Sequence, residues 1–161
     1  NNFYRPIYKR LRTVLSLRLG FSSTYGQTQE EQIPIEKRFR IGGNSSFRGA
    51  GFNCIGGITD GSPENCSDAI SSQAPGGNAL FNYMFDFLIP ITRELDLALF
   101  TDGGNAFLSN RDFNILDIRN SAGVGFRYNT FFGPMRFDYG ILLDRRTGEK
   151  FGAFHFAVGQ F

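Results

Sequence analysis

Ala79-Leu-Phe-Asn-Tyr-Met-Phe-Asp-Phe-Leu-Ile89 alternates with period two. Its odd positions carry Ala79, Phe81, Tyr83, Phe85, Phe87 and Ile89, and its even positions Leu80, Asn82, Met84, Asp86 and Leu88. Successive side chains of a strand point to opposite faces, so this segment reads as a strand with one aromatic face and one mixed, polar face.

The same pattern recurs on both sides. Leu11–Phe21 sets Leu, Thr, Leu, Leu, Leu and Phe against Arg12, Val14, Ser16, Arg18 and Gly20. Leu95, Leu97 and Leu99 stand opposite Asp96, Ala98, Phe100 and Asp102. Arg119–Tyr128, Met135–Leu143 and Phe151–Phe161 alternate likewise, and no stretch shows a comparable helical period. The pattern predicts six strands and an all-β fold, an antiparallel meander. Ile35–Ile41 also alternates, but counted as a further membrane strand it breaks the order described next, so it is placed inside the long loop.

Connection lengths alternate between short and long. Pro90–Arg93 and Asn129–Pro134 are short; Tyr25–Asn78, Leu108–Ile118 and Arg145–Lys150 are longer. Transmembrane barrels are built this way, with tight periplasmic turns, longer outer loops and strands of about 9–11 residues. A soluble β-sandwich or small barrel also has one apolar and one polar face. The aromatic density of the apolar face, with 19 Phe and 6 Tyr in 161 residues, favours lipid.

Composition narrows the remaining classes. A net charge of +2 offers no broad basic face for nucleic acid. No apolar run approaches 18 residues, so no transmembrane helix is expected, and no signal peptide is legible. The chain opens mid-pattern at Asn1, as though a segment upstream were missing. Six strands are too few to close around a lumen, and open edges are not tolerated in lipid. On the membrane reading, residues 1–161 form the C-terminal segment of one larger barrel domain.

The connection Tyr25–Asn78 is 54 residues long, a length usually reserved for function. Its centre reads Gly42-Gly43-Asn44-Ser45-Ser46-Phe47-Arg48-Gly49-Ala50-Gly51-Phe52, a glycine-flanked turn presenting one guanidinium. Cys54 and Cys66 follow, with eleven residues between them. In an oxidising compartment they are expected to form a disulfide, which adds about 3 kcal/mol on the chain-entropy model.

Four stretches in order resemble the outer-membrane assembly-factor barrels, the family of BamA, TamA, two-partner secretion transporters and the organelle import barrels. They are Ile41-Gly-Gly-Asn-Ser-Ser-Phe-Arg-Gly49, Gly76-Gly-Asn-Ala-Leu80 with Asp86-Phe-Leu-Ile-Pro90, Phe100-Thr-Asp-Gly-Gly-Asn-Ala-Phe107, and Ser121-Ala-Gly-Val-Gly-Phe-Arg127 with Phe132-Gly-Pro-Met-Arg-Phe-Asp138 and Phe156-Ala-Val-Gly-Gln-Phe161. The resemblance implies a sixteen-stranded antiparallel transmembrane barrel, of which these are the last six strands. The first stretch is similar to the loop-six signature, carried here by Phe47, Arg48, Gly49 and Ala50. Ala50 stands where the family usually has an aromatic residue, which leaves Phe47 or Phe52 to anchor the loop tip.

By that resemblance Arg48 reaches into the lumen and pairs with Asp86 and Asp102, latching the loop inside the barrel. Parity agrees, since both acids fall on the polar faces of their strands. The last strand, with Gly152, Phe154, Phe156, Gly159 and Phe161, resembles a lateral gate, in which glycines weaken and bend the strand. The implied activity is insertion and folding of outer-membrane barrels in the bacterial outer membrane, or in that of an organelle. The implied partners are unfolded outer-membrane proteins, the bilayer, accessory lipoproteins, and upstream strands and periplasmic domains of the same parent. Two alternatives stay open: a translocation transporter of the same family and a passive porin-like channel. No catalytic residue, cofactor or metal is expected. His155, the single histidine, has no ligand at metal spacing and reads as a solvated lumen residue. No acid/base dyad, nucleophile elbow or phosphate loop is present. Thr147-Gly148 is a hairpin signal only.

Overall fold

A computed structural model describes residues 3–8, 11–21, 33–57, 74–108, 114–131, 133–146 and 149–159. Among them, seven strands form one antiparallel sheet in strict chain order. They are β1 (Phe3–Tyr8), β2 (Leu11–Phe21), β3 (Ala79–Pro90), β4 (Leu95–Phe107), β5 (Arg119–Thr130), β6 (Gly133–Leu142) and β7 (Gly152–Val158). The meander is as expected, with one strand more than the six read from alternation. The addition is β1, whose six residues include Pro6 and whose pairing with β2 shifts register between Pro6 and Tyr8. A proline donates no ladder bond and suits an edge or a bulge, and the irregularity hides the period-two signal. β1 keeps the short/long order of connections, since only residues 9–10 separate it from β2.

β4 runs five residues beyond the expected end at Asp102. Gly103 and Gly104 interrupt the alternation, yet both stay in register with β3 and β5. The Tyr83 ring lies over Gly103, in the space a Cβ would take, and covers the glycine backbone. Tyr83 Oη donates to Asn120 Oδ1 on β5 at 2.8 Å.

The two faces of the sheet are filled the opposite way from a soluble domain. On β4, Asp96, Ala98, Phe100 and Asp102 are buried, while Leu99 is exposed and Leu95 and Leu97 are half-buried. Val124, Phe126 and Tyr128 of β5, Tyr139 of β6, and Phe154, Phe156 and Val158 of β7 are exposed. Phe137 and Phe156 pack on this outer face with ring centroids 4.9 Å apart. An apolar face of this extent on one side of an antiparallel sheet is the lipid face of a barrel wall. No described helix is long and apolar enough to cross a membrane.

The polar face is met by the described residues of the long connection between β2 and β3, 33–57 and 74–78. Ile35–Lys37 is a 3-10 turn within it rather than a strand. The chain then crosses the sheet through antiparallel bridges Phe39↔Gly77 and Ile41↔Ile55 and turns at the bridge Gly43↔Phe47. Gly42 sits at φ +131, and a Cβ there would meet Cys54 N at 2.9 Å, so only glycine fits the turn. Ile41, Phe47, Ala50, Cys54, Ile55 and Leu142 form a small apolar cluster where this loop meets the wall.

Candidate functional site

The loop tip places Arg48 against the wall with its side chain fully buried. Its Nε donates to Asp102 Oδ2 at 2.8 Å and its Nη2 to Asp102 Oδ1 at 2.5 Å, a two-pronged contact that fixes the plane of the guanidinium. The Arg48 backbone N–H donates to the same Oδ2 at 3.0 Å. Nη1 donates to Asp86 Oδ1 at 2.6 Å. The guanidinium carbon lies 3.7 Å from the centroid of the Phe100 ring, which supplies a cation–π contact from below. Strand register makes this possible: Asp86 opposes Phe100 and Met84 opposes Asp102, so the two acids are diagonal neighbours on one face. The structure therefore brings Arg48, Asp86 and Asp102 together.

Three further residues join them that were not assigned as partners of Arg48 from the sequence. Asp138 Oδ2 lies 3.8 Å from Arg48 Nη1 and accepts from Arg136 Nε at 2.7 Å. Arg127 Nη1 donates to Asp138 Oδ1, and its Nη2 to Asp86 Oδ1 at 3.3 Å. Arg48, Arg127 and Arg136 thus face Asp86, Asp102 and Asp138, three cations against three anions. Parity carries the signal for these: Arg127, Arg136 and Asp138 all fall on the polar faces of β5 and β6. Burial by itself works against the Arg48 cation, but the hydrogen bonds and charges of Asp102 and Asp86 outweigh it and hold the pKa above the ordinary guanidinium value.

The backbone of the tip is as tightly placed as its side chain. A Cβ on Gly140 of β6 would run into the Arg48 carbonyl and meet Gly49 N at 3.0 Å. A Cβ on Gly49 would press on Ser121 of β5, meeting its Cβ at 2.5 Å. Asn82 Nδ2 donates to Ser46 O at 2.6 Å. Phe47 is 0% exposed and Phe52 is 51% exposed, so Phe47 is the aromatic residue that anchors the tip. Ala50 is buried in the same cluster.

His155 is half-buried on β7, with Nε2 3.1 Å from the Arg48 carbonyl oxygen. It is part of the tip's seat rather than a solvated lumen residue. Gly152 opens β7 and Gly159 follows it at φ +115, so the two glycines bound the strand instead of interrupting it. Phe154 and Phe156 lie on the outer face. Phe161 is outside the described residues, and so is Cys66. Cys54 is buried and disulfide-bonded.

A second cluster holds the β6–β7 connection. Arg119 at the start of β5 donates to Glu149 through Nη1 at 2.9 Å and Nη2 at 2.7 Å, and to Asp144 Oδ2 through Nε at 3.0 Å. Glu149 Oε2 also accepts from the Arg146 backbone N–H at 2.8 Å. Among the described residues no group of His, Cys, Asp and Glu side chains is placed to hold a metal ion. The chemistry on offer is charge-assisted anchoring of a loop to a wall.

A family model described as the Omp85 superfamily domain matches residues 1–161. The outer membrane protein assembly factor BamA of Nitratidesulfovibrio vulgaris is 34% identical over 134 residues, covering 80% of this chain. The chain spans 16% of the length of that relative. Among solved structures, BamA from Haemophilus ducreyi lacking POTRA domains 1–3 superposes with a TM-score of 0.71 at 20% identity. That match covers 96% of this chain and 32% of the other and shows the same fold.

Proposed function

The chain belongs to the Omp85 superfamily, and on that premise we propose that it is the C-terminal wall of a bacterial outer-membrane barrel that inserts and folds other β-barrel proteins. The observation that carries this reading is the seat of the loop tip. Residues 33–57 of the long connection lie over the polar face and are fixed there by a buried guanidinium, an anchorage that argues against a passive channel. The similarity to an outer membrane protein assembly factor supports the same class of activity.

In the proposed parent, further strands close the barrel, because β1 and β7 each have one neighbour in this sheet and free edges are costly in lipid. β7 is the proposed gate strand. Its partner across the seam is the first strand of the barrel, and opening that seam offers an edge on which an incoming strand can pair by β-augmentation. Substrates are unfolded outer-membrane proteins, and accessory lipoproteins and periplasmic domains are its proposed assembly partners. Catalysis is non-covalent and calls for no cofactor.

The test is complementation by the full-length parent carrying Arg48→Ala, scoring folded outer-membrane proteins by heat-modifiable gel mobility. Broad loss of folded barrels, with the parent itself folded in the membrane, is the expected result. Loss of a single exported passenger with general assembly intact would instead assign the chain to a translocation transporter of the same superfamily. No change in either removes the tip from the mechanism.

A further inference from the structure

We propose that His155 is a positioning residue that couples the seat of the loop tip to the last strand, so that β7 and the tip loosen together. The inference rests on the gate-strand reading for its importance to function, but not for its geometry.

Arg48 sends its two ends in opposite directions across the wall. Its guanidinium reaches Asp102 on β4 and Asp86 on β3. Its carbonyl oxygen points the other way, over Gly140 of β6, to His155 Nε2 on β7. A carbonyl oxygen only accepts, so Nε2 carries the proton and donates. Gly140 lets the tip pass close enough to β6 for this reach, since any side chain there would fill the space of the Arg48 carbonyl. The register sets His155 directly opposite Asp138, which itself lies 3.8 Å from the guanidinium. His155 is therefore the point at which the charge network on the wall meets the last strand.

The coupling follows from the shared hydrogen bond. If β7 moves away from β6, His155 leaves the Arg48 carbonyl, which is then buried without that donor. If the tip lifts, His155 loses its acceptor. A hydrogen bond of this kind is worth a factor of about five in the equilibrium between seated and loosened states. Linkage requires that each movement favour the other by the same factor.

The experiment is hydrogen–deuterium exchange on the full-length parent in lipid nanodiscs, read at amides 153–158 and 46–50. His155→Ala is expected to speed exchange in both segments by about five-fold. His155→Gln, which keeps a donor at similar reach, is expected to restore both. Arg48→Lys, which keeps the charge but loses the two-pronged contact, is expected to speed exchange at 153–158 in the native background and not in His155→Ala. If His155→Ala lowers the folded band in heat-modifiable mobility, Arg48→Lys in the native background carries the test: exchange at 153–158 that stays at the native rate overturns the proposal. Faster exchange at 153–158 with 46–50 unchanged, or failure of His155→Gln to restore the native rates, overturns the proposal. Exchange does not depend on assembly activity. Coupled exchange with no loss of assembly would keep this inference and count against the gate-strand reading instead.

Discussion

Asp102→Asn is the most direct perturbation of the tip's seat. Asp102 accepts three hydrogen bonds from Arg48, two from the side chain and one from the backbone N–H, and both side chains are 0% exposed. Asparagine keeps the shape, removes the charge, and turns an NH2 donor toward either Nε or Nη2. Breaking a buried pair by removing one partner costs about 3–5 kcal/mol. Asp86 still accepts from Nη1 at 2.6 Å, which places the loss near the low end, at about 3 kcal/mol. At 1.4 kcal/mol per factor of ten this is roughly a 100-fold shift toward the unseated tip. Asp86→Asn should cost less, about 1–2 kcal/mol, since Asp86 is 16% exposed and takes one short bond from Arg48. The assay is amide exchange of residues 46–50 in the membrane-embedded protein, where the Arg48 N–H reports directly because Asp102 is its acceptor. Equal effects of the two substitutions, or a larger one at Asp86, would refute the assignment of Asp102 as the principal anchor.

Gly140→Ala puts a methyl group into the Arg48 carbonyl and should destabilise the seated tip by about 1–3 kcal/mol, seen as faster proteolysis of the loop in intact membranes. Phe47→Ala should lower the thermal transition in detergent by the equivalent of about 3–5 kcal/mol, whereas Phe52→Ala should stay within about 0.5 kcal/mol, because Phe47 is buried and Phe52 exposed. Glu149→Gln should release the β6–β7 connection from Arg119 and open residues 143–151 to protease, leaving exchange at residues 46–50 unchanged.

The strands were legible in the alternation, whereas the pairing of Arg48 with its two acids was implied only by the family resemblance, with which parity agreed. β2, β3 and β5 begin where the alternation begins, because a two-sided wall imposes period two on every residue it contains. β1 was hidden by Pro6 and a register shift, and the far half of β4 by Gly103-Gly104, where the side chain that covers the strand belongs to Tyr83 on its neighbour. Local pattern cannot show a residue supplied from another strand. Arg127, Arg136 and Asp138 were readable as polar-face residues by parity but not as partners, since pairing depends on the register between β5 and β6. His155 was furthest from view. Its partner is a backbone carbonyl 107 positions away, and a carbonyl leaves no mark in a sequence.

The spread of Arg48's contacts over β3, β4, β6 and β7 also constrains how the wall can be assembled. A slip of one residue in any of these strands sends its inward side chain to the lipid side. A slipped β4 would face Arg48 with Thr101 or Gly103 in place of Asp102 and leave the cation buried without its principal anion. A slipped β6 would present Phe137 or Tyr139 where Asp138 belongs. A wall with any of these strands slipped lacks part of the tip's seat. The seated tip therefore favours the correctly aligned wall over slipped ones, through contacts far apart in the chain.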